Sequence, residues 1–163
     1  MGKKDSGLMP KEVALGKAAA LCSQSEHCKA QIWEKFSLWN VSAQDANNIM
    51  DYLVKERYID NKRFARAYCH DKFCYNHWGR IKIRQMLRHL KLNDEEIEEG
   101  MTTIPDEDYL QTLNDAIRAK DRTLREKDMY QRKAKLVRHL LSRGFETELV
   151  IDAVDEYLSR NCL

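Results

Sequence analysis

A chain of 163 residues has room for one ordinary domain or for a short array of repeats. With only 2 prolines and 6 glycines, and with 43% hydrophobic and 33% charged residues, the composition favours helix and argues against a β-sandwich, a collagen-like chain and full disorder. The formal net charge of +2 says little about partners. No apolar run approaches the roughly 20 residues that span a bilayer and no apolar signal segment opens the chain, so we expect a soluble, cytoplasmic protein with no membrane partner.

The first segment of the chain is polar. Residues 1–11 contain Gly2, Gly7 and Pro10, which predicts a flexible N-terminal tail. Three later stretches have the periodicity of helices. They are Val13–Cys22, Asn61–Tyr75 and Asp106–Leu124.

One copy of an internal repeat follows each of these stretches. When Ile32 is aligned with Ile83 and Leu136, apolar residues recur in six columns at offsets of 51 and 53 residues. The columns are Ile32/Ile83/Leu136, Phe36/Leu87/Leu140, Val41/Leu92/Phe145, Ala46/Ile97/Val150, Met50/Met101/Val154 and Leu53/Ile104/Tyr157. Within each copy the spacing changes from i, i+4 to a turn residue and then to i, i+4, i+7, which predicts a helix, a turn and a second helix.

Start and stop signals fit this division. Ser42 and Asn93 resemble N-caps with an acidic residue three positions later, and Asp60 is a further N-cap candidate. Pro105 suits the first turn of a helix, and Gly144 lies where a left-handed residue ends one. Nine short helices are therefore predicted.

The fold class predicted from these patterns is all-α. We expect three tandem three-helix repeats, over residues 12–59, 60–104 and 105–163, that form an elongated, curved array. A unit of about 50 residues has a small core, so each repeat should depend on its neighbours. Arrays of this kind present an extended surface and not a closed pocket, which favours a binding protein.

Charge is distributed in alternating blocks. Gly79–Lys91 has five Arg and Lys residues and no acid, whereas Asn93–Asp108 has eight acids and no Arg or Lys. Arg118–Arg143 has ten basic residues against three acidic ones, and Gly144–Leu163 has five acids and one Arg. The near-neutral total therefore conceals separate basic and acidic segments.

The basic residues of two predicted helices form stripes, at 100° per residue. Beside the apolar arc of one helix lie Arg80, Arg84, Arg88 and Lys91, and opposite the apolar side of the other lie Arg132, Lys135, Arg138, His139 and Arg143. A solvated face explains either stripe alone, but stripes on equivalent helices favour a surface for nucleic-acid phosphates or for acids of a protein partner. The candidate partner-binding residues are Arg80, Lys82, Arg84, Arg88, Lys91, Lys135, Arg138 and Arg143. We expect charge reversal of Arg84 and Arg88 to weaken partner binding without loss of helix.

Neither catalysis nor metal binding is predicted. The chain has no P-loop, GxGxxG, HExxH or GxSxG motif, so we expect no enzyme, no catalytic residue and no cofactor. His70, Cys74 and His77 share a helical face, but Cys69 lies off it and zinc needs about four ligands. Ordinary helix residues are the preferred interpretation, and whether Cys69, Cys74 or His77 has a role beyond packing stays open.

The three tryptophans are candidates either for packing or for stacking on bases. Trp33 and Trp39 lie beside apolar repeat columns, which favours packing for both. Trp78 precedes Gly79 and the basic helix, and for it the two interpretations are nearly equal.

Two segments match a known family. Residues 58–68 read Tyr-Ile-Asp-Asn-Lys-Arg-Phe-Ala-Arg-Ala-Tyr, and residues 79–87 begin with Gly79 and continue as a basic helix. These segments resemble the RecX family of bacterial regulators. The resemblance extends over roughly residues 13–160, and these segments are its most specific part. The resemblance implies tandem three-helix repeats and a cytoplasmic, non-catalytic protein; separately, we expect a monomer. It also implies binding to the RecA recombinase and its filament on single-stranded DNA, with inhibition of strand exchange and ATP hydrolysis in recombination, repair and the SOS response.

The sequence departs from the family pattern at two places. Asp60-Asn61 stands where the family commonly has paired acids. A glycine is common before the Val41/Leu92/Phe145 column, and only Gly144 retains it; Asn40 adopts a left-handed conformation readily, and Lys91 less so. Neither change affects the expected fold.

Other functions stay open beside the one that the resemblance implies. One is a helical module that binds nucleic acid directly, without a recombinase. Another is a structural scaffold that binds neither DNA nor filament. Weak direct DNA binding is also compatible with a recombinase regulator.

Overall fold

In a computed structural model, residues 7–161 are described, and every regular element among them is an α-helix. The helices α1 to α9 span Lys11–Gln24, Lys29–Leu38, Ala43–Lys55, Asn61–Cys74, Arg80–His89, Asp94–Met101, Asp106–Asp121, Met129–Ser142 and Thr147–Asn161. The all-α prediction is confirmed. Within 7–161, no helix is both long enough and apolar enough to cross a membrane. Of the predicted tail, residues 1–6 lie outside the described residues, and α1 begins at the last residue of that tail, Lys11.

The helices pack in triplets that we call repeat 1 (α1–α3), repeat 2 (α4–α6) and repeat 3 (α7–α9). The repeat boundaries at residues 59/60 and 104/105 stay a prediction. The apolar columns supply the cores, since Ile32, Ile83 and Leu136 are all fully buried. Val41 and Tyr157 are the two column residues that stay half-buried.

The helix starts use the side chains that the sequence indicates. Ser42 accepts a hydrogen bond from the backbone N–H of Asp45 at 3.2 Å, and Asp60 accepts one from Arg63 at 3.1 Å. Asn93 forms a reciprocal capping box with Glu96, three positions later. The Asn93 side chain accepts a hydrogen bond from the Glu96 backbone N–H at 2.8 Å. These predicted N-caps are confirmed.

The residues before the Val41/Leu92/Phe145 column are left-handed in all three repeats. Gly144 has φ +91°, and Asn40 and Lys91 adopt φ 57° and 62° at the equivalent positions. Lys91 therefore has a left-handed conformation, which glycine and asparagine adopt more readily than lysine. The turn geometry is set by the repeat and not by the residue alone.

The buried apolar residues form two separate cores. Repeat 1 has its own core around Phe36, Ile49 and Leu53, and both Trp33 and Trp39 pack edge-on against Phe36 at ring distances of 5.7 and 6.3 Å. Packing against the core is therefore confirmed for Trp39, whereas Trp33 touches Phe36 and stays 37% exposed. Repeats 2 and 3 share one continuous core, in which Tyr109 lies between Phe73 and Phe145.

Repeat 2 meets repeat 3 through backbone contacts. A Cβ atom placed on Gly79 would lie 2.2 Å from the carbonyl group of Gly144, and one on Gly144 would lie 2.2 Å from Cβ of Lys82. The N–H of Gly79 donates to the Arg143 carbonyl at 2.8 Å, and the N–H of Ile81 donates to the Gly144 carbonyl at 3.0 Å. The C-terminal end of α8 therefore caps the N-terminal end of α5.

Repeat 1 meets repeat 2 differently. Cys28 and Lys91 occupy the positions equivalent to Gly79 and Gly144, by the offsets of 51 and 53 residues. The contact is made by side chains: the Cys28 thiol lies 3.9 Å from the Leu90 carbonyl oxygen, and Arg63 pairs with Glu26 at 2.6 Å. Repeats 1 and 2 are therefore joined by side chains, whereas repeats 2 and 3 are joined by backbone atoms.

Candidate partner-binding surface

The first predicted site residue, Arg80, lies at the contact between repeats 2 and 3. Its Nη2 atom donates to Asp106 at 2.7 Å and to the Ile104 carbonyl at 3.2 Å, and its guanidinium lies 4.1 Å from the ring centre of Tyr109. Only 21% of the side chain is exposed. Tyr109 also donates its hydroxyl to Glu146 at 2.6 Å, and burial raises the pKa of that hydroxyl. Arg80 therefore joins two repeats as well as carrying charge.

The other arginines of α5 face the acidic block that follows in the sequence. Arg84 binds Glu98 through two bonds of 3.0 and 3.2 Å, and this hydrogen bonding lowers the pKa of the Glu98 carboxyl group. Arg88 lies 3.8 Å from Asp94, and both side chains are well exposed. The α5 stripe is thus partly neutralised by residues of α6 and by Asp106 of α7.

Lys82 lies on another side of α5. Its ammonium group lies 4.4 Å from the ring centre of Trp78, and that of Lys72 lies 5.0 Å from the same ring. No carboxylate in residues 7–161 pairs with either lysine. The half-buried Trp78 ring is therefore surrounded by uncompensated positive charge, as in sites where aromatic rings and cations bind nucleic acid.

The predicted residues of α8 continue this charge. Arg143 donates to the Asn76 carbonyl at 3.4 Å, which brings α8 against the turn that carries Trp78. Arg138 is exposed and has no carboxylate partner among the described residues, whereas Lys135 pairs with Glu126. Lys135 and Arg138 line one hollow of about 470 Å³, which we call the outer hollow.

A second hollow of about 480 Å³, the junction hollow, lies beside the outer one. His77, Lys120, His139 and Arg143 supply its basic side chains, and Lys120 and His139 also line the outer hollow. The two hollows therefore form one basic trough between α7 and α8.

The structure brings together some of the predicted site residues and separates others. Lys82, Lys135, Arg138 and Arg143 lie along the trough and the adjoining turn, and Arg80 and Arg84 point to acids instead. Lys91 is exposed at the turn after α5, with no carboxylate partner in the described residues. Their role in binding a partner stays a prediction.

Three residues of this surface, Lys72, His77 and Lys120, could not be assigned to it from the sequence pattern. Each precedes or follows the basic stripes, so periodicity alone does not join them to α8. The available signal was glycine at 79 and at 144, which permits a close backbone approach at each position but does not show that the two approach each other.

The cysteine and histidine cluster of α4 is divided between core and surface. Cys69 is fully buried, and burial raises the pKa of its thiol to about 12. Cys74 is exposed, and His70 lies 3.2 Å from Asp71. Within 7–161, no three Cys, His, Asp or Glu residues are grouped as metal ligands. Cys162 lies outside the described residues.

Comparison with protein families gives two matches. The model described as the second three-helix domain of RecX matches residues 60–101, and that described as the third three-helix domain of RecX matches residues 106–154. Together these two models cover more than half of the chain, including α5 and the trough between α7 and α8.

Curated relatives have the same name. A "Regulatory protein RecX" of Ralstonia pickettii is 28% identical over 162 residues, covering 92% of this chain and 94% of the relative. That of Leuconostoc mesenteroides is 24% identical over 148 residues, and that of Clostridium botulinum strain Eklund 17B is 28% identical over 131 residues. The chain spans 55% and 61% of the length of these last two proteins.

Solved structures show the same fold. The crystal structure of a regulatory protein RecX superposes with a TM-score of 0.81 at 18% identity, covering 90% of this chain and 71% of the other. RecX from Lactobacillus salivarius superposes with a TM-score of 0.80 at 14% identity, covering 90% and 95%.

Proposed function

This chain belongs to the RecX family of regulatory proteins, and we propose that it binds the RecA recombinase and the filament that RecA forms on single-stranded DNA. In this proposal, binding inhibits strand exchange and ATP hydrolysis and so modulates recombination, DNA repair and the SOS response. The chain acts in the cytoplasm as a binding protein and not as an enzyme.

The observation that carries the proposal is the uncompensated basic charge along the trough and around Trp78. Lys82, Arg138 and Arg143 come from two repeats and have no carboxylate partner within 7–161. A filament presents protein carboxylates and DNA phosphates together, and both are anions that such a surface attracts. Because these three side chains form no ion pair with a carboxylate of the described residues, they are available to a partner.

Arg88 and Lys91 extend the proposed contact. Both are exposed near the C-terminal end of α5, and Arg88 has only a long, solvent-exposed ion pair with Asp94. Exposed pairs of this kind contribute about 0–1 kcal/mol, so exchanging such a pair for a filament contact costs little.

The test is inhibition of RecA. We expect the full chain to reduce DNA-dependent ATP hydrolysis and strand exchange by RecA, and the double variant Lys82→Ala/Arg138→Ala to need about tenfold more protein for the same effect. The control Lys29→Ala/Lys55→Ala removes two exposed lysines of repeat 1 that likewise have no carboxylate partner in the described residues. Lack of inhibition by the unmodified chain contradicts the proposed function.

Direct nucleic-acid binding without a recombinase is the second candidate. The two lysines on the Trp78 ring favour it, because aromatic rings flanked by cations are typical of single-strand binding sites. This candidate predicts the same affinity for naked DNA as for a filament.

A further inference from the structure

The junction hollow contains more positive charge than its own walls neutralise. Lys120 comes from α7, His139 and Arg143 from α8, and His77 from the turn between α4 and α5. Neither Lys120 nor Arg143 pairs with a carboxylate of the described chain, and the bond from Arg143 to the neutral Asn76 carbonyl leaves its charge uncompensated.

One acidic side chain, Asp115, also lines the hollow, and it is already engaged. Its Oδ1 atom accepts hydrogen bonds from Gln111 at 3.0 Å and from Arg118 at 3.2 Å. Arg118 is not a lining residue of the hollow, so it pairs with Asp115 from outside it. An anion that enters the hollow therefore meets two cations without a carboxylate partner in the described residues, Lys120 and Arg143, and one carboxylate that is already paired.

The remaining walls are suited to more than a bare ion. Ala116 and Ala119 provide small apolar surface, and Thr112 and Thr123 add hydroxyl groups that donate or accept hydrogen bonds. Small-molecule sites of about 300–1,000 Å³ combine these elements, apolar walls with a few convergent polar groups. The volume of about 480 Å³ falls in that range.

The His139 imidazole reports on the electrostatics of the hollow. Burial, together with the charges of Lys120 and Arg143, lowers the pKa of this side chain below its usual range. Asp115 on α7, His77 on the α4–α5 turn, and Lys135 and Arg138 on α8 are the other charged or titratable groups around the two hollows. A bound anion opposes the repulsion from the two cations and favours the protonated imidazole.

We propose that the junction hollow is a phosphate-binding site that takes one nucleotide, with the phosphate group on Lys120, His139 and Arg143 and the sugar or base against Ala116 and Ala119. The nucleotide is either free or part of a single strand, and the phosphate chemistry is the same in both. The site lies in the trough that the proposed function also uses, but nucleotide binding there requires no recombinase, so the two proposals can fail separately.

The test follows the His139 imidazole resonances of the full chain by NMR, with His139→Gln used for assignment. The probes are inorganic phosphate, thymidine 5′-monophosphate and an oligothymidylate strand, each compared with chloride at equal ionic strength. We expect saturable shifts with the nucleotide probes, and we expect Lys120→Ala to raise Kd about tenfold. The matched control, Lys127→Ala, removes an exposed lysine outside the hollow and should leave Kd unchanged.

Comparison of the probes identifies the source of the phosphate. Tighter binding of the monophosphate indicates a free nucleotide, and tighter binding of the oligonucleotide indicates a strand. If no probe shifts His139, or if Lys120→Ala and Lys127→Ala change Kd equally, the site is overturned. Circular dichroism of both variants checks that the helices are intact.

A pH series tests the coupling to His139 with sulfate, because its charge is constant over the range used. We expect sulfate to bind more tightly as the pH falls from about 8 to about 5.5, since protonation of His139 adds a cation to the site. His139→Gln should remove most of this dependence. A pH dependence that is unchanged in His139→Gln overturns the assignment of His139 to the site.

Discussion

Single residues set how closely neighbouring repeats approach. Gly79 and Gly144 permit backbone contact between repeats 2 and 3, while the Cys28 side chain lies between repeats 1 and 2. The left-handed turn at Gly144 could be predicted from its place after a helix. The approach of Gly79 to that turn could not, because periodicity does not show which distant segment packs against a helix start.

Alanine at Gly79 tests this contact. The added Cβ would meet backbone atoms of Gly144 and Phe145 at 2.2–2.3 Å, which cannot move as a flexible side chain does, so we expect Gly79→Ala to lower the free energy of unfolding by about 1–3 kcal/mol. Gly16 is the control, because it lies exposed within α1 with nothing within 4 Å of an added Cβ. There alanine should stabilise the protein by about 0.5–1 kcal/mol. Urea denaturation measures both changes, and equal effects would contradict the close contact.

Asp121 is the one buried charged residue in the part of the chain described. It accepts two bonds from Arg132, at 2.5 and 2.6 Å, and one from the Tyr157 hydroxyl at 2.8 Å, so it links the three helices of repeat 3. The bonds from Arg132 lower the pKa of its carboxyl group. Charge patterns along the sequence do not distinguish this buried pair from the surrounding exposed ones.

The lowered pKa of Asp121 predicts the direction of a pH effect. The ionised carboxylate stabilises the fold above the ordinary pKa of an Asp, and this contribution is lost as the pH falls through the lower pKa of the folded state. Asp121→Asn should cost about 1–3 kcal/mol at neutral pH and less in acid. Thermal or urea denaturation at several pH values measures this, and a cost that does not shrink in acid would contradict the role of the charge.

At the scale of elements, α5 has two chemically different sides. The sequence predicts its buried residues and its basic stripe correctly as a pattern, since Ile83 and Leu87 are fully buried. It does not predict that the acids of α6 and α7 lie against Arg84 and Arg80, because that contact depends on how the helices pack. Ion pairing therefore distinguishes Arg84 from Lys82, although both are basic residues of one helix.

This difference can be measured with paired variants. We expect Lys82→Ala/Arg138→Ala to weaken filament binding about tenfold or more, and Arg84→Ala/Arg88→Ala to weaken it less, because Arg84 is already compensated by Glu98. Charge reversal of Arg84 and Arg88 should weaken binding further, since it places a carboxylate beside Glu98. Binding by fluorescence anisotropy ranks the variants, and the reverse order would move the contact to the acid-facing side of α5.

At the scale of the whole molecule, the described chain divides unequally. Repeat 1 has a core of its own, and repeats 2 and 3 share another, which also includes Cys28. The internal repeat in the sequence predicts three equivalent units and does not show that two of them are joined by a common core. Which residues bridge two repeats, such as Phe73 of α4 and Tyr109 of α7, becomes apparent only from the packing.

Hydrogen exchange tests this division. We expect the buried amides of α4–α9 to open with a common free energy, because their core is continuous, and those of α1–α3 to open separately. Mass spectrometry of the native protein reports each helix through its peptides. One common opening free energy for all nine described helices would contradict the division into two cores.

In the proposed function, the partner is a filament of recombinase on DNA and not DNA alone. The most direct measurement compares binding of the full chain to naked single-stranded DNA and to a preformed RecA filament on the same strand, over a series of salt concentrations. We predict tighter binding to the filament at every salt concentration, with part of the affinity kept at high salt, where binding to naked DNA is lost. Equal affinity for both, with the same steep salt dependence, would contradict the claim and favour direct nucleic-acid binding.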